Sequence, residues 1–376
     1  MIVCFNCDTE TKNKMDILLQ KDQYKDYGEL LAVAVSNLWL LDQEVTRNGS
    51  LVIGEISLLT TFASSRRMRE KSKPLARGPV DPSQANSEFS KQPLIPDIFL
   101  IGKPDTISID TLEAQIDTLS IGKAFTLDRW IFGQYNKLLP AKANCRALAR
   151  LTLRHEKGIP LAVAAPEIAR AASIMSEFLI KYDRENNIGR DDALSTAFPH
   201  NGPDTEKSRV RYLNHFLGSV NMHGQLSGLL WDYRLASLSK TDPPEILLTA
   251  PGLAFAKLKN PILDGTQDQT ARKLSMEESS FLMDHIQHFV PVEDFAFKTL
   301  LKSVHEGANT PEKLGEALRP FVPSDSARPL SNSFLASQRS GALSRMSDMG
   351  LIVRIRQGVR VTYVITDFGR NYIESR

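Results

Sequence analysis

The sequence predicts a mainly α fold with small β-ribbons, in which two related C-terminal units follow a mixed α/β and helical N-terminal region. Three observations carry this. From Leu112 onward apolar residues recur at helical spacing. The clearest β-pattern is a short ribbon, Leu351 to Arg356 and Arg360 to Ile365, about a turn at Gln357-Gly358-Val359. An internal match offset by 117 residues relates this ribbon and its flanks to an earlier segment, pairing Ile246 with Tyr363.

Length and composition set the limits. A chain of 376 residues has room for two to four compact domains. Its 42% apolar and 24% charged residues are ordinary for a globular protein. The net charge of +2 excludes a polycation, so any affinity for polyanions must come from local clustering. Residues 326–376 supply it, with eight Arg, no Lys and three acids, a side-chain charge of +5. Three cysteines cannot build a disulfide framework for a chain of this size, which points to a reducing cytoplasm. No secretory signal is read at the N-terminus, and the longest uncharged apolar run, Leu30 to Leu41, is too short to span a bilayer.

Along the chain, residues 1–110 read as mixed α/β. They hold an apolar start (Ile2 to Phe5), a helix at Tyr27 to Leu41, a β-like run at Ser50 to Phe62 and an exposed basic loop at 64–92. Ile98 to Ile101 and Thr106 to Ile109 read as short strands. Residues 111–198 read as helical. Pro166 suits the first position of a helix running to Tyr182, with Ile168, Ala171, Met175, Phe178 and Tyr182 on one face. Residues 199–264 form a first, degenerate unit, and residues 265–376 a second.

In both units a strand ends at a Thr that opens a helix as Thr-x-x-Gly-x-x-aromatic: Thr249, Gly252 and Phe255, then Thr366, Gly369 and Tyr372. The Thr hydroxyl can cap an early helical N–H. The same alignment pairs Leu235 with Ile352. In the second unit Ser275 and Glu278 form a capping box. The helix that follows carries Phe281, Leu282, His285 and Ile286, and the next runs from Val292 to His305. Thr310-Pro311 starts a third helix and Ser337 to Met349 a fourth, whose Ala342, Leu343, Met346 and Met349 share one face.

This order of helices, a Gly-Leu-Ile junction and an arginine-bearing ribbon resembles the winged-helix superfamily of DNA-binding domains. The likeness covers the last hundred or so residues, with a looser copy at about 205–264. It implies that the fourth helix lies in the major groove of a duplex, reading bases through Gln338, Ser340, Ser344 and Arg345, with Arg339 close by. Arg339 departs from the pattern, falling near the apolar face, where it would have to snorkel. The resemblance further implies that Arg354, Arg356 and Arg360 hold the phosphate backbone. Period-two alternation would put these arginines on one face and Val353, Ile355 and Val361 against the core. The implied function is non-enzymatic binding of double-stranded DNA, with the N-terminal region docking a protein partner or forming a homodimer. The alternative is a scaffold subunit of a genome-maintenance or anti-phage complex, its winged helices used for protein contacts.

Other motifs are weaker. Cys4 and Cys7 have the spacing of half a zinc site, but no second close pair follows. Pro96-Asp97 before an apolar run is similar to the start of a PD-(D/E)xK nuclease core, yet no (Asp/Glu)-x-Lys follows within thirty residues. Gly102-Lys103 and Gly122-Lys123 lack a Gly-rich lead. His285 and His288 sit three apart on one helix. No catalytic residue and no cofactor is expected.

Overall fold

The chain divides into two units, residues 1–90 and 91–376. A computed structural model describes residues 94–102, 104, 107–114, 125–190, 192–220, 226–265, 273–323 and 330–374, all in the second unit. The expected helix at Tyr27 to Leu41, the β-like run at Ser50 to Phe62, the basic loop 64–92, Cys4 and Cys7 lie outside the described residues. What is described is mainly α, with two- and three-stranded antiparallel sheets.

Helix α1 (Leu139–His155) runs through the centre, with Ala143, Cys145, Ala147 and Leu148 all inaccessible. Its first three turns are enclosed, and polar groups there must be matched. Lys142 therefore pairs with Glu278 at 2.9 Å, and Arg146 with Asp264 at 2.6 Å. A short strand β1 (Ile159–Pro160) leads into α2 (Leu161–Glu185). There Ile168, Ala171 and Met175 face inward as the periodicity expects. The helix begins five residues before Pro166, which sits inside it rather than at its start.

Helix α3 (Thr205–Tyr212) continues through a π-turn at Leu213–Leu217. The small ribbon β2 (Ser219–Val220) and β3 (Leu226–Ser227) follows, then the short α4 (Leu229–Asp232). Strands β4 (Ala236–Leu238) and β5 (Glu245–Leu248) join β1 in a sheet of order β1-β5-β4, registered by Ile159↔Ile246 and Ala236↔Leu248. Helix α5 (Ala250–Lys257) closes the first copy. Its sheet thus takes in a strand, β1, from the segment expected to be helical.

The second copy comprises α6 (Met276–Phe289), α7 (Pro291–His305), α8 (Pro311–Ala317), α9 (Asn332–Asp348), the ribbon β6 (Ile352–Gln357) and β7 (Arg360–Ile365), and α10 (Asp367–Glu374). The Ser275–Glu278 capping box and the Thr310 N-cap are both formed. The ribbon turns at Gly358, whose φ of +61° glycine adopts without strain. Asn309 accepts a backbone hydrogen bond from Tyr363 N at 2.8 Å, on the side of β7 where β1 flanks β5 in the first copy.

The repeat is built atom for atom at one corner. Thr249 Oγ1 donates to Arg234 O (2.6 Å) and accepts from Gly252 N (3.2 Å). Thr366 Oγ1 donates to Gly350 O (2.7 Å) and accepts from Gly369 N (3.0 Å). Arg234 and Gly350 are both left-handed, at φ +55° and +76°. Thr249 N bonds Leu235 O and Thr366 N bonds Leu351 O. Leu235 therefore corresponds to Leu351, one residue from the expected partner Ile352. The offset is 117 after the hairpin and 116 before it, because the second hairpin is one residue longer.

The two copies are not beads on a linker. One continuous hydrophobic cluster extends from Ile98 to Tyr372. Lys142 of α1 pairs with Glu278 of the second copy, with both side chains fully buried. Two strand expectations fail. Asp97–Phe99 forms a 3-10 turn because Ile98 and Phe99 both turn into the core, which alternation cannot do. Ile107 to Ile109 forms no strand, and Thr106 lies outside the described residues.

Candidate nucleic-acid interface

Helix α9 carries three faces, separable at 100° per residue. Ala342, Met346 and Met349 form the apolar one, packed in the core. Ser340, Ser344 and Ser347 lie on an accessible flank. Between them Gln338, Gly341, Arg345 and Asp348 form a polar stripe, and this stripe is buried: Gln338 is 1% exposed and Arg345 0%. The expected helix start at Ser337 is late; Ser331 caps the helix by accepting from Phe334 N.

What buries the stripe is the chain's own segment 127–138. Gln338 Nε2 donates to Leu127 O (3.2 Å) and Trp130 O (3.0 Å), and Gln338 Oε1 accepts from Gly133 N. Arg345 Nη1 donates to Tyr135 O at 2.9 Å. Asp348 Oδ2 accepts from Leu138 N at 3.0 Å. Gly133 and Gly341 meet backbone to backbone, so that a Cβ on Gly341 would lie 2.2 Å from Gly133 O. Segment 127–138 thus occupies the face that was to meet a base-pair edge.

Arg345 is committed more deeply still. Its Nε and Nη2 form a two-pronged pair with Glu293 at 2.5 and 2.9 Å, and Tyr233 OH donates to the same carboxylate at 2.9 Å. Burial opposes the guanidinium charge, but Glu293 and Tyr233 together outweigh it and hold its pKa above the ordinary value. Beside this cluster His285 Nε2 meets Tyr233 O at 2.6 Å, and its ring stacks between Phe281 and Phe289. Burial pulls the His285 pKa below its ordinary value. Gln338 and Arg345 are therefore fold-holding residues, and the expectation that they read bases is corrected. Sequence periodicity could not distinguish this stripe from a solvated one, because its partners lie 50 to 210 residues away.

The ribbon also differs from expectation. Register pairs Arg356 with Val361 and Gln357 with Arg360. Directly opposed residues share a face. Arg354 and Arg356 therefore lie on one face with Val361 and Tyr363, whereas Arg360 lies on the other with Val353, Ile355 and Val364. That second face is open: Val353, Ile355 and Val364 are 49%, 39% and 46% exposed. The ribbon's base (Ile352, Ile365) is buried in the core and Tyr363 packs against it, while the tip extends past it. Arg354, Arg356 and Arg360 are all exposed. Arg356 Nε donates to Gly358 O at 3.0 Å, steadying the tip. Arg339 is half-buried and lies across Gly315 of α8, the snorkelling position its place on the helix required.

Between the ribbon's foot and the serine flank of α9 opens a cleft of about 240 Å³. It is lined by Ser340, Ser344, Ser347 and Arg354 together with Lys137 and Lys273. The two lysines come from segments that sequence reasoning did not single out, since nothing local marks them. A second, wider cleft shares Asn136 and Ser340 with the first and carries the cation Arg211 and the ring of His215. Two clefts thus open along the polar flank of α9.

Elsewhere the described residues offer little chemistry. Asp97 is exposed at the start of its turn. Cys145 is enclosed in α1, and burial pushes its thiol up to about 12, so it is not poised as a nucleophile. His285 and His288 do not converge: the first is buried, and the second meets Asp284 at the surface. Among the described residues no group of three His, Cys, Asp or Glu is placed to hold a metal ion. No described helix is long and apolar enough to cross a membrane. No family model, no curated protein and no solved structure matches this chain.

Proposed function

We propose that the protein is a non-enzymatic binder of duplex DNA built on two winged-helix-like copies, which grips the phosphate backbone and does not read bases through Gln338 or Arg345. The observation that carries this reading is the ribbon: three exposed arginines on a hairpin that projects beyond the core, beside a polar cleft. The sheet order β1-β5-β4, with β1 between α1 and α2 and the β4–β5 hairpin after α4, supports the winged-helix likeness of the first copy. With the polar stripe of α9 occupied internally, affinity rests on phosphate contacts, which position a protein on DNA without specifying sequence. Replacing Arg354, Arg356 and Arg360 together with Ala is expected to weaken binding of a duplex of roughly 20–30 base pairs about tenfold or more. The salt slope should become shallower by roughly 0.9 for each phosphate that is no longer neutralised. An unchanged slope and affinity in fluorescence anisotropy would remove the proposal.

A second reading is favoured by the opposite face of the same ribbon. Exposed Val353, Ile355 and Val364 suit contact with a protein, as in a scaffold subunit of a nucleoprotein complex. The same titration separates the two: a wild-type chain with no salt-dependent affinity for any duplex leaves the scaffold reading standing.

A further inference from the structure

The cleft at the foot of the ribbon has a feature that the arginine hairpin alone does not call for. Lys137 and Lys273 come together in its lining from distant segments. Two ammonium groups in one small cleft repel unless an anion lies between or beside them. The chain supplies two acids. Asp348 Oδ1 pairs with Lys273 at 2.7 Å, while its other oxygen is taken by Leu138 N, so its charge is already shared. Asp192 also lines the cleft. Burial, with Lys273 adding to it, draws the Lys137 pKa below its ordinary value. Lys273, although burial opposes its charge, is held above its ordinary value by Asp348. Lys137 is thus the cation left with the less direct counter-charge.

Around this pair the helix presents three hydroxyls, Ser340, Ser344 and Ser347, beside the one carboxylate of Asp348, with Arg354 closing the ribbon side. Cation pairs plus hydroxyl donors are the chemistry of a phosphoryl site. The volume, about 240 Å³, is below the range of roughly 300–1,000 Å³ that encloses a whole drug-sized ligand. A single phosphoryl group fits, with the rest of its parent molecule outside.

We infer that this cleft is a phosphate-binding site, with Lys137 and Lys273 holding the charge, and Ser340, Ser344 and Ser347 donating to the oxygens. The source favoured is a backbone phosphate of duplex DNA, which rests on the proposed function; the other source of the same chemistry is free phosphate. A phosphate held here would fix the register of the duplex against the hairpin, because α9 and segment 127–138 are locked together.

The experiment uses the full chain, with inorganic phosphate followed by calorimetry and a duplex followed by anisotropy. The variants are Lys137→Gln and Ser347→Asp, the second placing a carboxylate at the exposed rim with the packing untouched. Wild type should bind phosphate at millimolar concentration, and phosphate should compete with the duplex. Both variants should lose phosphate binding, weaken the duplex about fivefold or more and lower the salt slope by about 0.9, the value for a single phosphate. If phosphate binds wild type but neither variant, and no duplex binds at all, the site stands with free phosphate as its ligand, while the duplex reading falls. If the duplex binds wild type and both variants with equal affinity and slope, this inference is overturned and the duplex reading survives. Failure of wild type to bind either probe overturns both. Should Lys137→Gln melt early, Ser347→Asp alone decides between these outcomes.

Discussion

Arg345→Ala is expected to lower the unfolding free energy by roughly 3–5 kcal/mol, the cost of stripping one partner from a buried ion pair. The side chain meets Glu293 through two nitrogens and Tyr135 O through a third, and both Arg345 and Glu293 are inaccessible to water. Alanine would leave the Glu293 carboxylate charged in a closed interior, with only Tyr233 OH among the described side chains to bond it. Most domains have only about 5–15 kcal/mol in total, so the variant should be largely unfolded at modest urea. Arg345→Lys should restore only part of the loss, since an ammonium cannot reproduce the two-pronged geometry. Replacing Arg345, Glu293 and Tyr233 together by Met, Leu and Phe removes the charge and its partners at once. That triple change should be far milder than the single one, because no buried charge is left without a partner. The measurement is a urea midpoint for each variant. An Arg345→Ala protein with a wild-type midpoint and lost DNA affinity would show that the side chain reaches DNA after all, and would return it to the base-reading role.

Arg345 is the residue on which sequence and structure diverge most. In the sequence, Gln338, Arg345 and Asp348 recur at helical spacing on a polar helix, the pattern of a solvated or DNA-facing stripe. Whether such a stripe is solvated depends on what packs against it. Here the cover is segment 127–138, brought in from about 210 residues away, with Gly133 allowing the backbones to touch. Nothing local encodes that approach. The same limit hid Lys137 and Lys273, which acquire meaning only when the fold brings them beside the serine flank. Local signals fared better: the Ser275 capping box, the Thr310-Pro311 start and the hairpin at Gly358 are all formed, because each is satisfied within a few residues. The ribbon was located correctly, but its faces were not. Alternation tells which residues share a side, not whether a core lies beneath that side, and at the hairpin tip none does.

At the repeated corner sequence and structure agree, and substitution there should cost the same in both copies. Gly252 and Gly369 occupy equivalent places, each bonded through its N–H to the Thr that opens its helix. At both, the helix rides directly on a carbonyl. A Cβ on Gly252 would lie 1.9 Å from Leu235 O, and one on Gly369 2.2 Å from Leu351 O. These oxygens accept from Thr249 N and Thr366 N, so neither can withdraw without breaking the strand-to-helix junction. Alanine, elsewhere the best helix former, should therefore destabilise: the gain of about 1 kcal/mol in helix propensity is outweighed by an overlap that no rotamer relieves. Each single substitution is expected to cost about 2–4 kcal/mol, at the upper end of overpacking because the clash is with backbone. The sites belong to different copies of the corner and clash with different carbonyls, so the double variant should lose about the sum. Chance alignment of two amphipathic segments would predict no such symmetry. Gly252→Ala and Gly369→Ala proteins that melt with wild-type midpoints, or a large loss at one site and none at the other, would dissolve the equivalence of the two corners. The reading of two related copies would go with it.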